Sequence, residues 1–165
     1  MIFNRDVHFQ SANKDSDFIF GFNGDDTIFG GSENDELRGG NGADRIYGDS
    51  GDDLIYYAND GDVVDGGAGD DTFVYDSLVQ GYGSATIRGG NGYDTIDLSA
   101  LGEIEWKGRS TSTSSMLAEF IQDDEGGAFF FLDSDRDGDY DFGIELVEIA
   151  AVNQIKFIGI DTWVL

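Results

Sequence analysis

Aspartate recurs at every ninth residue through Asp17, Asp26, Asp35, Asp44, Asp53, Asp62 and Asp71. Two places after each comes an apolar residue: Ile19, Ile28, Leu37, Ile46, Ile55, Val64 and Phe73. Glycines crowd the places before the acid, most cleanly in Gly39-Gly40-Asn41-Gly42 and Gly66-Gly67-Ala68-Gly69. One carboxylate beside a run of exposed peptide carbonyls is a set of hard oxygen donors. Calcium wants such a set, with about six to eight oxygens at roughly 2.3–2.6 Å. Magnesium suits it less, because it resists dehydration and demands octahedral geometry. A solvated acidic loop array would account for the charge. It would not account for the nine-residue phase or for the apolar residue that always follows.

A single turn cannot surround the ion. If successive units alternate between two sides of a roll, turns 18 residues apart become neighbours, and each ion sits between two of them. The expected pairs are Asp17/Asp35, Asp35/Asp53 and Asp53/Asp71 on one side, and Asp26/Asp44 and Asp44/Asp62 on the other. That gives about five sandwiched ions, with one or two incomplete sites near Asp94 and the ends. The glycines expected to open these cradles are Gly24, Gly30, Gly31, Gly39, Gly40, Gly42, Gly48, Gly51, Gly66, Gly67 and Gly69. Asp25, Asp52 and Asp70, one place before the repeating acid, are expected to be solvated or to lie behind the ligands. A second cluster, Asp133, Asp135 and Asp137, follows the opening half of an EF-hand loop. The twelfth place falls on Ile144, so the bidentate glutamate is missing. A calcium-tightened hairpin and a plain acidic turn both fit it.

These donors need elements to hold them. Within a unit the first six residues read as a turn and the last three as a short strand, with β-branched and aromatic triplets such as Thr27-Ile28-Phe29. Alternation points the central residue of each triplet to one face, so stacked units build two facing aliphatic ladders. The expected fold is all-β, a right-handed parallel β-roll capped by a C-terminal antiparallel β-hairpin region. Residues 1–11 read as an N-terminal cap or linker, because a solenoid's end repeats lack one neighbour. The roll spans 12–97, with an insertion at 75–88 where the period breaks before Gly89-Gly90-Asn91-Gly92-Tyr93-Asp94 restores it. Residues 98–165 form the β cap, with apolar runs separated by turn-rich acidic stretches.

Composition supports a counter-ion that folds the chain. The net charge is −25 over 165 residues, and self-repulsion on that scale opposes compaction. Yet 39% hydrophobic and 13% aromatic residues are too many for a disordered acidic tail. The nine basic residues form no stripe, so nucleic acid is repelled. No run is apolar enough to span a bilayer, and no N-terminal signal peptide is legible. Cysteine is absent and His8 is the sole histidine, so thiolate sites and an H-E-x-x-H zinc site cannot form. No enzyme is expected in these residues.

The repeats, the Asp71-Thr72-Phe73-Val74-Tyr75 exit and the string Asp94-Thr95-Ile96-Asp97-Leu98-Ser99-Ala100-Leu101 resemble the C-terminal RTX module of type I-secreted proteins. Within that group the chain resembles the serralysin protease tail and the R-modules of alginate epimerases. The resemblance implies a β-roll that is disordered in the calcium-poor cell and folds outside it. It also implies export by the type I secretion machinery, a cargo domain upstream and an extracellular location. Asp161-Thr162-Trp163-Val164-Leu165 fits the uncleaved terminal signal of such proteins. Arg88 departs from the family, which often carries an aspartate near there. An alternative of another class is a calcium-rigidified adhesin or a module binding an alginate-like polysaccharide, with Tyr47 and Tyr56 forming part of an aromatic face.

Overall fold

A computed structural model describes residues 8–10, 14–58, 61–76, 84–101, 104–106, 116–122, 128–133, 142–147 and 155–158. The strands are β1 (His8–Gln10), β2 (Phe18–Asn23), β3 (Thr27–Ser32), β4 (Glu36–Asn41), β5 (Arg45–Ser50), β6 (Leu54–Tyr57), β7 (Val63–Ala68) and β8 (Thr72–Tyr75). They continue with β9 (Ser84–Asn91), β10 (Asp94–Asp97), β11 (Ile104–Trp106), β12 (Met116–Gln122), β13 (Ala128–Asp133), β14 (Phe142–Val147) and β15 (Ile155–Ile158). A 3-10 turn at Ser99–Leu101 follows β10.

Successive strands alternate between two sheets. One sheet runs β1-β3-β5-β7-β9-β14-β13-β12-β11, the other β15-β10-β8-β6-β4-β2. Neighbours within the roll pair in parallel at a step of 18 residues, as in Thr27↔Arg45 and Glu36↔Leu54. Every second unit therefore lies on the same side. The period break after Val74 is a lengthened coil: β9 returns to β7 as Val63↔Thr86, and β10 to β8 as Thr95↔Thr72, both at a step of 23. Five extra residues are absorbed and the stacking resumes.

Between the sheets the expected ladders face each other. Leu37, Ile55, Phe73 and Ile96 come from one sheet, and Ile28, Ile46, Val64 and Ile87 from the other, each at most 1% exposed. Each such side chain contributes about 1.5–3 kcal/mol on burial. Strands β2–β10 run four to eight residues, longer than the three-residue segments read from sequence. Stacking of near-identical turns carries the ladder into the glycine-rich stretch, as in Phe22↔Gly40 and Asn23↔Asn41.

Beyond β10 the expected antiparallel hairpins occur as β12–β13 and β13–β14. They do not stand apart from the roll: β14 pairs in parallel with β9, and β15 in parallel with β10. Both sheets are thereby extended past the last repeat, so β9 and β10 do not end in bare edges.

Candidate functional site

The repeating aspartates form two columns along the roll. One column holds the turns 30–35, 48–53, 66–71 and 89–94; the other holds 21–26, 39–44 and 57–62. Inside each column the later aspartate reaches back to the earlier one. Asp35 Oδ1 accepts the N–H of Asp17 at 2.8 Å, Asp53 that of Asp35 at 2.8 Å, and Asp71 that of Asp53 at 2.9 Å. Asp94 extends this column by accepting from Asp71 at 3.1 Å. In the other column Asp44 accepts from Asp26, and Asp62 from Asp44, both at 2.8 Å. All five pairs expected at 18 residues are in contact, and Asp71/Asp94 joins them at 23.

The second oxygen is the one that matters for chemistry. Asp26, Asp35, Asp44, Asp53, Asp71 and Asp94 are each at most 4% exposed. The Oδ2 atoms of Asp35, Asp44, Asp53 and Asp71 are buried with no hydrogen-bond donor on them. Each lies against the first glycine of its own turn, where a Cβ would strike it: Gly30 for Asp35, Gly39 for Asp44, Gly48 for Asp53 and Gly66 for Asp71. The same added Cβ on Gly30 would stand 2.9 Å from the Gly48 carbonyl oxygen, on Gly48 2.5 Å from that of Gly66, and on Gly66 2.8 Å from that of Gly89. On Gly21 it would strike Asp26 Oδ2 and stand 2.6 Å from the Gly39 carbonyl. The cradles at Gly21, Gly30, Gly48 and Gly66 thus gather a carboxylate oxygen from one turn and a carbonyl oxygen from the next.

The pairing explains why those carbonyls are free to turn inward. The register runs Phe29↔Tyr47 and then Gly31↔Asp49, passing over Gly30 and Gly48; it likewise passes over Gly66 and Gly89. Further carbonyls, from Gly24, Gly51 and Gly69, face the fourth-place glycine of the following turn (Gly42, Gly69 and Gly92), and those of Asp49 and Gly67 face Gly67 and Gly90. Positive φ at Gly31, Gly40, Gly67 and Gly90 aims this part of the turn. Where glycine is missing, the same left-handed geometry is imposed on Phe22, Glu33 and Asp49 at φ 82°, 76° and 71°.

Burial and mutual repulsion make these acids hard to ionise without a cation. Burial pushes Asp44 up to about 7, against the lowering bond from the Asp26 N–H, and the charges of Asp62, Asp26 and Asp25 push it further the same way. Burial raises Asp71 to about 7 and Asp53 to about 6, with their stacked neighbours adding to it. Asp35 and Asp94 are raised for the same first reason. No three carboxylate, imidazole or thiolate side chains converge among the described residues. A cation here must complete its shell with backbone carbonyls, which suits calcium and not a soft metal. The donor set fits the ion expected from sequence.

Several residues behave differently from the sequence reading. Asp25, Asp52 and Asp70 are exposed to solvent as expected, but they and Asn34 also bond the next coil: their Oδ1 atoms accept the N–H groups of Ala43, Asp52, Asp70 and Tyr93, each at 2.9 Å. These acceptors reach forward to the next coil, while the repeating acids reach back. Gly21, Gly89, Gly90 and Gly92 line cradles and were missed, although the repeat phase places them there. Asp62 differs from its column mates, since its Oδ2 accepts the Ala58 N–H at 2.7 Å. Asp17, at the start of its column, is part-exposed. Asp133 ends β13, while Asp135 and Asp137 lie outside the described residues. Tyr47 and Tyr56 do not share a face: Tyr47 is on β5 stacked on Phe29 at 4.9 Å, whereas Tyr56 is on β6 of the other sheet under Arg38 at 4.0 Å. Nine residues is one change of sheet, so the expected aromatic face is corrected.

Parallel coils whose glycine turns stack buried carboxylates in two columns define a calcium-binding β-roll. The family model of the RTX calcium-binding nonapeptide repeat matches residues 11–37, 29–64, 59–77 and 80–100, more than half the chain. The protein belongs to the RTX calcium-binding nonapeptide repeat family, whose members bind calcium and are found among secreted proteins. Among solved structures it is similar to the solution structure of the AlgE6R3 subunit of the Azotobacter vinelandii mannuronan C5-epimerase. That likeness is 25% sequence identity over 91% of this chain and 81% of the other, at a TM-score of 0.43. No curated protein sequence matches it.

Proposed function

We propose that the chain is a calcium-responsive folding module that supports type I secretion and extracellular folding of a secreted protein. The observation that carries this reading is the row of buried Oδ2 atoms on Asp35, Asp44, Asp53 and Asp71 with no donor of their own. A fold that buries unneutralised carboxylates is opposed by desolvation and by like-charge repulsion. Bound calcium supplies the compensating positive charge. The chain's own part is to fix the carbonyls by left-handed turns, to hold Oδ1 on a backbone N–H, and to exclude water behind the aliphatic ladders.

In calcium-poor cytoplasm the columns repel, the roll stays open and the chain remains exportable. Outside, at about ten times its dissociation constant, each ion adds about 1.4 kcal/mol to the folded state, and a handful of ions matches the stability of a small domain. Removing calcium with a chelator should abolish most of the β circular dichroism; a chelated chain that keeps it overturns the folding switch. Export is tested beside a type I exporter, where the intact chain should reach the medium and a chain lacking 161–165 should stay in the cell. Equal release of both overturns the export role.

A further inference from the structure

The two aspartate columns do not end alike. In the column of Asp53 the cradle is repeated without change through Asp71, with the Gly89 carbonyl facing Gly66. In the column of Asp44 the turn 57–62 begins with Tyr57, where the turns at 21, 30, 39, 48, 66 and 89 have glycine. Tyr57 stays in the ladder, paired with Tyr75, and its carbonyl accepts the Asp76 N–H at 2.8 Å. The carbonyl that Gly39, Gly48, Gly66 and Gly89 turn toward the cradle of the preceding turn is here used within the sheet, so the column already loses a carbonyl oxygen at Asp44. Asp62 then holds the Asp44 N–H on Oδ1 and the Ala58 N–H on Oδ2. In the next coil the register Val63↔Thr86 sets Ala85 opposite Asp62, so no further carboxylate follows. Tyr57, Ala58 and Ala85 are at most 2% exposed, the Tyr57 and Tyr75 rings meet edge-on at 5.9 Å, and the Tyr57 hydroxyl is buried with no hydrogen-bond partner.

We infer that Asp62 is a backbone clamp and not a calcium ligand, and that the Tyr57–Tyr75 pair ends the metal column on this side while the opposite column goes on binding through Asp71. This rests on the calcium reading of the turns. The roll then carries calcium unevenly, with a metal-free apolar plug on one side of its C-terminal half.

The test counts bound calcium by native mass spectrometry in the full chain, in Asp62→Asn and in Asp53→Asn. Asp62→Asn should keep the parent's ion count, while Asp53→Asn should lose at least one ion. Loss of an ion from Asp62→Asn, in a parent that binds calcium, overturns the inference alone. A parent that takes up no calcium, or an Asp53→Asn that loses none, overturns the proposed function and the inference with it. If Asp62→Asn does not fold, a terbium anomalous map of the unaltered chain decides. Density within about 3 Å of an Asp62 carboxylate oxygen contradicts the clamp, and density beside Asp35, Asp53 and Asp71 but not Asp62 supports it.

Discussion

The column of Asp53 and the column of Asp44 start from the same nine-residue rule and finish with different physics. In the first, every turn leaves a carboxylate oxygen and a carbonyl oxygen facing a small space. In the second, one residue change, tyrosine for glycine at place 57, keeps the strand in register and takes the carbonyl away from the cradle. Asp62 remains buried at 1% exposure, yet both its oxygens are bonded to backbone N–H groups. That second bond carries the inference about Asp62, because an aspartate whose two oxygens both hold backbone N–H groups has neither left for a metal. Tyrosine at the first place goes with an aspartate bonded at both oxygens, and glycine there with one whose Oδ2 is left open.

The comparison breaks most sharply at Gly48. Its φ is not in the left-handed region, so alanine there adds only a methyl group, against Asp53 Oδ2 and the Gly66 carbonyl. Gly48→Ala should cost about 3 kcal/mol in calcium, from overpacking and a lost ion together. Tyr57→Phe in the other column should change stability by less than about 1 kcal/mol. Calcium-loaded thermal melts read both, and an equal loss would erase the distinction between columns. Next in size, Asp53→Ala should destabilise the loaded protein by about 2–3 kcal/mol, since it removes a ligand and the acceptor of the Asp35 N–H. Asp25→Ala, on the exposed forward ladder, should cost about 0.5–1.5 kcal/mol. Asp25→Ala matching Asp53→Ala would mean that the ladder bonds, and not the metal, hold the coils.

Proton binding sharpens the same contrast. Without calcium, the raised values of Asp44, Asp71 and Asp53 mean that the folded state binds more protons than the unfolded chain between about pH 4 and about pH 7. Their contribution to apo stability is present in acid and is lost as pH rises through the folded values. In chelator, lowering the pH from 8 toward 5 should restore part of the β circular dichroism. In calcium, the midpoint of the calcium titration should move to higher concentration over the same range, because ions and protons compete for the same oxygens. A midpoint independent of pH would contradict this.

The smallest effect is strain that both columns share. Phe22, Glu33 and Asp49 sit at positive φ, at about 1–2 kcal/mol each, and glycine would relieve most of it at some entropic cost. Phe22→Gly should therefore raise the melting free energy by about 0.5–1 kcal/mol, and a loss would show that the exposed Phe22 ring is packed more usefully than its backbone is strained.

The parallel coils, the inward aliphatics and the partners of the acids were legible because a strict period converts directly into stacking. Asp35 meets Asp53 for the same reason that Ile28 meets Ile46. The forward ladder of Asp25, Asn34, Asp52 and Asp70 was legible in principle, since a short acceptor recurs one place before the metal acid. Its direction was not, because it depends on where the turn aims each side chain. The sequence marks the unit 57–62 as poor in glycine, but not how its first carbonyl is used. Asp62 keeps the beat perfectly, and only the register of Tyr57 with Tyr75 shows that its carbonyl is used in the sheet. The broken period at 75–88 shows that residues are added, but only the register shows that Ala85 falls in the aspartate place.

The central claim, that calcium drives this fold through buried carboxylates, is tested most directly by titrating calcium-free chain with calcium while circular dichroism and bound metal are read together. Little β signal is expected at the start, followed by a cooperative rise that tracks ion uptake to saturation. A full β signal before any calcium is bound, or uptake of calcium without gain of structure, would contradict it.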